Sequence, residues 1–501
     1  MPRVLVPFAG VIKTARRAGR RSAMVVAGLF SAVAASGVQA LLAAGLLSAC
    51  GGEEAANSRP LLGNYDFVFV SIDTLRADHL SSYGYSRATD GDPASQWSLA
   101  WLAEQGQQYQ TCWAPIGKTM PSLASFWTGL FPLEHGAISN PTFLAPEVRH
   151  FAEVFKQEGY QNHAMLANRA LDHALGLSQG FDSYDIRARE LEGDLGSDLL
   201  KRADPAIANG EKLMLWAHWM SPHQPYTPPA ELAAEFTART EPVANNQLLY
   251  GLHRNPEELT PELKQYLIDL YDAEVLLASQ RLQSFLSQLD QKYRDAGRGG
   301  LLENAVIVFF SDHGEELADR NAYFLHAKSL YSGVLQVPLF VIAPGLKAGK
   351  VEAPIALQEV LPWLLEGKEP QGRAFAASWQ TGFYAWRRDH WTLIQNPGRS
   401  QLGPLEPPDD VAYVYPYVAL YDRRNDPLEQ KNIAELHPEI VKELLAEQWQ
   451  WFQQLQRREA KFVPGMDMES QRQKLIDLGY ADVVPDVFVN PVKPEEWADH
   501  D

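Results

Sequence analysis

Phe67-Val68-Phe69-Val70-Ser71-Ile72, followed at once by Asp73, decides how this chain folds. The run is almost continuously apolar and rich in β-branched residues, so it reads as a strand buried on both faces, as in a parallel sheet covered by helices. Ala305-Val306-Ile307-Val308-Phe309-Phe310 and Pro338-Leu339-Phe340-Val341-Ile342-Ala343 read the same way, and Leu213–Trp219 is a fourth candidate. Between them Leu267, Tyr271, Val275, Ala278, Leu282, Phe285 and Leu289 recur three and four apart, the apolar stripe of a long helix. Strands alternating with helices predict an α/β domain: a large, mainly parallel sheet sandwiched by helices. In such sheets ligands gather at the carboxyl ends of strands, which is where Asp73 and Asp312 fall.

Outward from that core the composition changes at Glu366-Gly367-Lys368-Glu369-Pro370. The expected organisation is an α/β domain over residues 65–368 and a smaller C-terminal α+β domain over 369–462, with a polar tail over 463–501. Residues 374–379 and 383–395 read as antiparallel strands rich in Trp and Tyr, another strand leads into Leu420-Tyr421-Asp422, and residues 437–457 read as a helix. In the tail, Leu478-Gly479-Tyr480 is expected to make one local contact. The Pro-rich segment from Pro225 to Pro229, with the stretch on to about Glu258, is expected to form a rim or lid.

The first 49 residues carry Arg3, Lys13, Arg16, Arg17, Arg20 and Arg21 and no acid, and the run from Ala23 to Ala49 is uncharged. It ends in Leu47-Ser48-Ala49-Cys50, the pattern of a bacterial lipoprotein signal, which predicts a leader over residues 1–50, lipidation of Cys50 and a linker over 51–64. The same stretch is long enough for a transmembrane anchor. Val38-Gln39-Ala40 also permits ordinary cleavage, and Arg20-Arg21 fits twin-arginine export. Each reading exports the globular part, and the expectation is a lipid-anchored protein of the cell envelope, on the outer membrane or periplasmic face. Without the leader, Lys+Arg falls from 44 to 38 against 62 Asp+Glu, a net charge near −24. Such a body repels nucleic acid, whose binding needs cation–phosphate contacts. An anionic substrate must be drawn by a local positive centre. Only Cys112 remains outside the leader, so no disulfide forms within the exported chain.

Thr119-Met120-Pro121-Ser122-Leu123 supplies a hydroxyl where a helix starts, because Pro fits the first turn. The loop position expected for Thr119 faces free N–H groups and a positive dipole end, which suits an anionic ester. Taken singly, Thr119 and Asp73 read as helix caps and Asp312-His313 as a turn. Together at strand ends, Asp73, Asp312 and His313 suit a divalent cation, with Thr119 completing the ligand set and becoming a nucleophile at neutral pH. His223 in Ser221-Pro222-His223-Gln224-Pro225 and His326 and Lys328 in His326-Ala327-Lys328-Ser329 add donors for non-bridging oxygens and an acid for the leaving oxygen. Gly176-Leu177-Ser178-Gln179-Gly180 fits a nucleophile elbow, but the flanking sequence lacks the strand before and the helix after that the elbow requires.

Several of these segments, in order over roughly residues 65–460, resemble the sulfatase family of the alkaline phosphatase superfamily. They are residues 71–85 (Ser-Ile-Asp-Thr-Leu-Arg-Ala-Asp-His-Leu-Ser-Ser-Tyr-Gly-Tyr), 119–136, Pro222-His223-Gln224-Pro225-Tyr226, Ser311-Asp312-His313-Gly314-Glu315 and the stretch from His326 to Leu339. Leu420-Tyr421-Asp422, Asn425-Asp426-Pro427, Glu429 and Asn432 resemble the family's C-terminal signature. The resemblance implies that Asp73, Asp312 and His313 bind one divalent cation (Zn²⁺, Mn²⁺, Mg²⁺ or Ca²⁺), that Thr119 attacks phosphorus or sulfur, and that His223, His326 and Lys328 contact the ester.

The departures bear on the chemistry. Sulfatases of the family use Cys or Ser, in Cys/Ser-x-Pro-x-Arg, oxidised to formylglycine; here Thr119 takes that place and Leu123 replaces the Arg. The hydrated aldehyde carries a second hydroxyl that expels sulfate, whereas a threonine ester must be cleaved at the central atom by water or another acceptor. Thr74 replaces a second metal-binding Asp, and Asn168 lies near the place of a Lys-x-His pair. The expectation is therefore an exported metal-dependent hydrolase of phosphate or sulfate esters, small or glycan- or lipid-linked, with Thr119 favouring phosphoesters, diesters included. A sulfuric ester hydrolase of arylsulfatase type, a phospho-head-group transferase and a non-catalytic anion-binding envelope lipoprotein stay open. The missing Arg at position 123 supports the last, and the retained Asp73, Asp312 and His313 oppose it.

Overall fold

The run from Asp66 forms the central strand of the molecule. The computed structural model describes residues 61–320, 322–326, 329–372, 374–378, 382–397, 416–461 and 490–497. The chain divides into two units, Met1–Ala56 and Asn57–Asp501, and the described residues all belong to the second. The leader with Cys50, most of the linker, Lys328 and the tail contact at 478–480 lie outside them. The fifteen described strands are β1 (Asp66–Ile72), β2 (Gln107–Tyr109), β3 (Cys112–Trp113), β4 (Gln161–Leu166), β5 (Ser183–Ile186), β6 (Leu213–Trp219), β7 (Ala305–Ser311), β8 (Gln336–Val337), β9 (Leu339–Ile342), β10 (Gly349–Val351), β11 (Ile355–Ala356), β12 (Ala374–Ser378), β13 (Phe383–Arg388), β14 (Trp391–Gln395) and β15 (Val418–Asp422).

Eight strands make one sheet in the order β10-β2-β9-β7-β1-β6-β4-β5. Strands β1, β6 and β7 are buried along their whole length, and β1 runs parallel to both neighbours. Strand β9 is antiparallel to β7 and β2, so the sheet is mixed but mostly parallel, as the apolar runs require. Alternation along β1 sends Phe67 and Phe69 into one core, with Trp127, Phe155 and Trp216, and Val68, Val70 and Ile72 into the other, with Leu215, Leu282 and Phe285. The helix Thr119–Thr128 covers the first face; Leu195–Asn209 and the 35-residue Pro261–Asp295 cover the second.

A second, four-stranded antiparallel sheet runs β12-β13-β14-β15. Its Trp386, Leu393 and Leu420 pack with Val441, Leu444, Leu445 and Phe452 of the helix Pro438–Gln454. A small sheet, β11-β3-β8, completes the topology. The stretch expected as a rim contains two helices, Ala230–Phe236 and Asn246–Arg254. Residues 169–175 form two short 3-10 turns rather than a strand, which removes the elbow reading of Ser178. Among the described residues no helix is long and apolar enough to cross a membrane.

Candidate active site

The parallel register brings the site together. Ile72 pairs with Trp219 on one side and Ser311 on the other, so Asp73 and Asp312 leave neighbouring strands side by side. Ser311 Oγ donates to the Ile72 carbonyl and accepts from Leu75 N–H, bonds that hold the two strand ends at fixed separation. Thr119 arrives from the sheet face above. It is the first residue of its helix, with Lys118 as the cap, one position further into the helix than expected. Ser122 Oγ, three residues on, donates to the Asp312 carbonyl at 2.6 Å and ties that helix to the end of β7. Leu123 lies in the hydrophobic core, so this position contributes packing where the family pattern has a cation.

Asp73, Thr119, Asp312 and His313 are all fully buried. Ligand atoms of Asp73, Asp312 and His313 lie within 4.8 Å of one another, and they are the metal-compatible group found among the described residues. Thr119 Oγ1 is 3.5 Å from Asp73 Oδ2 and 3.4 Å from His313 Nε2. His313 Nδ1 donates to the Gly314 carbonyl at 3.0 Å, which turns the basic Nε2 toward the carboxylates. Asp73 Oδ1 has no hydrogen-bond partner. Neither oxygen of Asp312 receives a hydrogen bond of normal geometry, and the N–H groups of His313 and Thr74 support it only weakly. Two adjacent buried carboxylates with orphaned oxygens are strongly unfavourable unless a cation compensates them. Two carboxylates, one imidazole and a hydroxyl fit a hard or borderline divalent ion.

The electrostatics carry the same message. Burial raises the Asp312 carboxyl well above its usual range and the charge of Asp73 adds to it. Burial also opposes ionisation of Asp73, but the hydrogen bond to His218 and the charges of His223 and His313 outweigh it and hold that carboxyl low. His218 and Asn168 were not among the expected site residues. His218 Nε2 stands 3.4 Å from Asp73 Oδ2 while its Nδ1 meets Ser71 Oγ at 2.8 Å, and Asn168 Nδ2 donates to Asp73 Oδ2 at 2.7 Å. The one signal for His218 is a titratable residue inside an otherwise apolar strand; Asn168 is marked only by lying near the place of the family's Lys-x-His pair.

His223 and His326 are brought to the same place. The His326 ring lies 4.5 Å from that of His313 and 5.1 Å from that of His223. His223 Nδ1 donates to the Gln224 carbonyl at 2.7 Å, and burial pushes its pKa down to about 4. His326 Nδ1 meets Glu315 Oε1 at 2.9 Å. Burial drives His326 well down, helped by the charges of His313 and His223, and drives Glu315 well up, helped by the charge of Asp73.

A large, mostly parallel sheet with carboxylates and an imidazole at its carboxyl edge, facing a hydroxyl at a helix start, defines the alkaline phosphatase superfamily architecture. Residues 65–366 match the sulfatase family model, and the chain belongs to that family of ester-bond hydrolases. It is 26% identical over 237 residues to a choline-sulfatase of Rhizobium meliloti (strain 1021), covering 41% of this chain and 46% of that protein. With the ulvan-active sulfatase of Formosa agariphila it shares 24% over 326 residues, 60% of this chain and 61% of the relative. The chain thus spans between about half and three fifths of the length of these two relatives. Two solved structures share the fold. One, in complex with its substrate D-glucosamine-2-N,6-O-disulfate, has a TM-score of 0.59 at 17% identity, covering 78% of this chain and 98% of that one. The other, the phosphonate monoester hydrolase of Agrobacterium radiobacter, has a TM-score of 0.56 at 18% identity, covering 79% and 96%.

Proposed function

We propose that this protein is a metal-dependent phosphoester hydrolase of the sulfatase family, with Thr119 as its nucleophile. The observation that carries the reading is the buried hydroxyl of Thr119 within 3.5 Å of the ligand atoms of Asp73 and His313. Asp73, Asp312, His313 and Thr119 would hold a divalent cation, which when bound supplies positive charge for the oxyanion and lowers the pKa of the attacking hydroxyl. Thr119 Oγ1 forms a bond to phosphorus in line with the ester oxygen, whose bond breaks. The hydroxyl proton leaves Oγ1 toward Asp73 Oδ2, the carboxylate oxygen 3.5 Å away, since the single lone pair of His313 Nε2 would be taken up by the cation.

His326 serves as the acid better than His223. Burial favours a proton on Glu315, which donates to His326 Nδ1 across 2.9 Å and leaves hydrogen on Nε2; as Nε2–H passes to the leaving oxygen the Glu315 proton moves to Nδ1, so the ring stays neutral. His223 donates through Nδ1 to a carbonyl and offers Nε2 as an acceptor in its neutral form. Water then attacks phosphorus and releases Thr119, the route open to a threonine ester.

A sulfuric ester substrate is the second reading, favoured by the names of the relatives, among them choline-sulfatase and Delta 4,5-hexuronate-2-O-sulfatase. Side-by-side rates on an aryl sulfate, a phosphate monoester and a phosphodiester decide between them, with Thr119→Ala as control. Phosphoester turnover lost in Thr119→Ala is expected; dominant sulfate turnover lost in the same variant would overturn the phosphoester preference. Export and lipid anchoring rest on the leader sequence ending at Cys50. Radiolabelled fatty acid incorporated by the wild type and lost in Cys50→Ala supports them, and label retained by the variant removes them.

A further inference from the structure

The C-terminal signature from Leu420 to Asn432 has no role in the chemistry above, yet it folds against the active-site wall. Asp422 accepts from Arg424 N–H at 3.1 Å and from Asn425 Nδ2 at 2.8 Å, and Asp426 accepts from Lys431 N–H at 2.7 Å. Asn432 Oδ1 accepts from Leu420 N–H at 3.0 Å and closes the turn. The turn sets Glu429 in the left-handed region, at φ 53°, a conformation kept in a non-glycine residue only where the surroundings enforce it. The Glu429 side chain is fully buried.

Its Oε2 accepts from the backbone N–H of Ser332 at 2.7 Å, and Oε1 lies 3.8 Å from Arg387. Arg387 Nη2 donates to the Leu330 carbonyl at 2.5 Å, and the hydroxyls of Tyr331 and Tyr421 meet at 3.3 Å. Residues 330, 331 and 332 are therefore each held from the C-terminal domain. The same segment reaches the chemistry in three ways. Ser329 N–H donates to the His326 carbonyl at 2.8 Å. Gly314 N–H, beside His313, donates to the Val334 carbonyl at 2.6 Å. A Cβ on Gly117, two residues before Thr119, would stand 2.6 Å from Val334 Cγ1 and 3.3 Å from the His326 carbonyl oxygen.

We propose that Glu429 is a positioning residue for hydrolysis, seating residues 329–334 through Ser332 and thereby holding His326 beside His313 and His223. The proposal rests on the reading of His326 as the acid. Its test is kcat and KM of Glu429→Ala and Glu429→Gln, alone and combined with His326→Ala, on a phosphodiester with a poor leaving group and on one with an activated aryl leaving group. A 1 Å misplacement of a catalytic group is worth on the order of 100-fold, so Glu429→Ala is expected to lower kcat by about 10- to 100-fold on the poor leaving group, with KM little changed. The activated substrate, which needs no acid, is expected to lose little. Glu429→Gln, which keeps a carbonyl acceptor for Ser332, is expected to restore most of the rate, and Glu429→Ala is expected to add nothing to His326→Ala. Equal losses on both substrates, or the same factor in both backgrounds, would show a general packing role and overturn the proposal. If Glu429→Ala does not fold, Tyr421→Phe, which removes only the hydroxyl contact to Tyr331, is expected to show the same leaving-group signature, and its absence counts against the proposal. Turnover that survives Thr119→Ala sinks the underlying reading instead.

Discussion

His218, His223 and His313 hold the Asp73 carboxyl low, while burial and the charge of Asp73 push that of Asp312 up, and a cation between the two would relieve their repulsion. Replacing Asp312 by Asn removes a buried carboxyl whose ionisation burial and Asp73 oppose, so the chelated variant is expected to unfold at a temperature equal to or above that of the chelated wild type, and to show no bound metal. Calorimetry and elemental analysis check this; wild-type metal content in Asp312→Asn would remove Asp312 from the ligand set. Glu316 gives a pH test. Burial, with the charge of Asp319 behind it, raises its pKa to about 7 from 4.5. The folded state therefore holds that proton more tightly than the unfolded chain, and its contribution, complete below about 4.5, is lost as pH rises through about 7. Glu316→Gln is expected to gain on wild type between pH 5 and 8, by up to about 3 kcal/mol in urea unfolding; parallel curves would contradict the burial argument. At this scale Asp73, Thr119, Asp312, His313, His223 and His326 were legible because each stands in a patterned segment. His218 was not, and Asn168 was marked only by its place relative to the family's Lys-x-His pair, since sheet register and a loop after β4 bring them to Asp73.

The elements that position the site are short of room. Gly314 follows His313 directly, and a Cβ there would collide with the Gly333 carbonyl oxygen, backbone that cannot step aside. Gly314→Ala is expected to cost about 1–3 kcal/mol of stability, as overpacking does, and to weaken divalent-ion affinity at least tenfold by moving His313. Isothermal titration measures the second effect, and unchanged affinity would show that the turn is not what orients the imidazole. Strands β1, β6, β7 and β9 and the long helix were legible as apolar runs and a three-four stripe. The two-residue strands β3, β8 and β11 were not, because so short a pairing leaves no period in the sequence. Thr119 entered the helix rather than preceding it, since Lys118 already takes the extended cap conformation at φ −146° and ψ 134°.

Across the whole molecule the sheet is a frame that brings residues more than 200 positions apart, Asp73 and Asp312, to one place. A cation bound only by the folded state stabilises it by about 2.7 kcal/mol at 100 times its Kd. The wild type is expected to melt higher with added divalent ion and lower with chelator, and Asp312→Asn is expected to show no such difference. An equal response in both would place the stabilising ion elsewhere. The α/β class and the C-terminal sheet were legible in the patterning, but their junction was not, because the grip of Glu429 on Ser332 joins residues 97 apart through one buried side chain. On the proposed mechanism, Thr119 forms the ester bond to the substrate. Rapid mixing with an activated phosphodiester, acid quench and mass analysis of the intact chain and its peptides test it directly. A phosphoryl-ester adduct confined to the peptide containing Thr119, and missing from Thr119→Ala along with turnover, is the expected result; an adduct on another residue, or full turnover by Thr119→Ala, would contradict it.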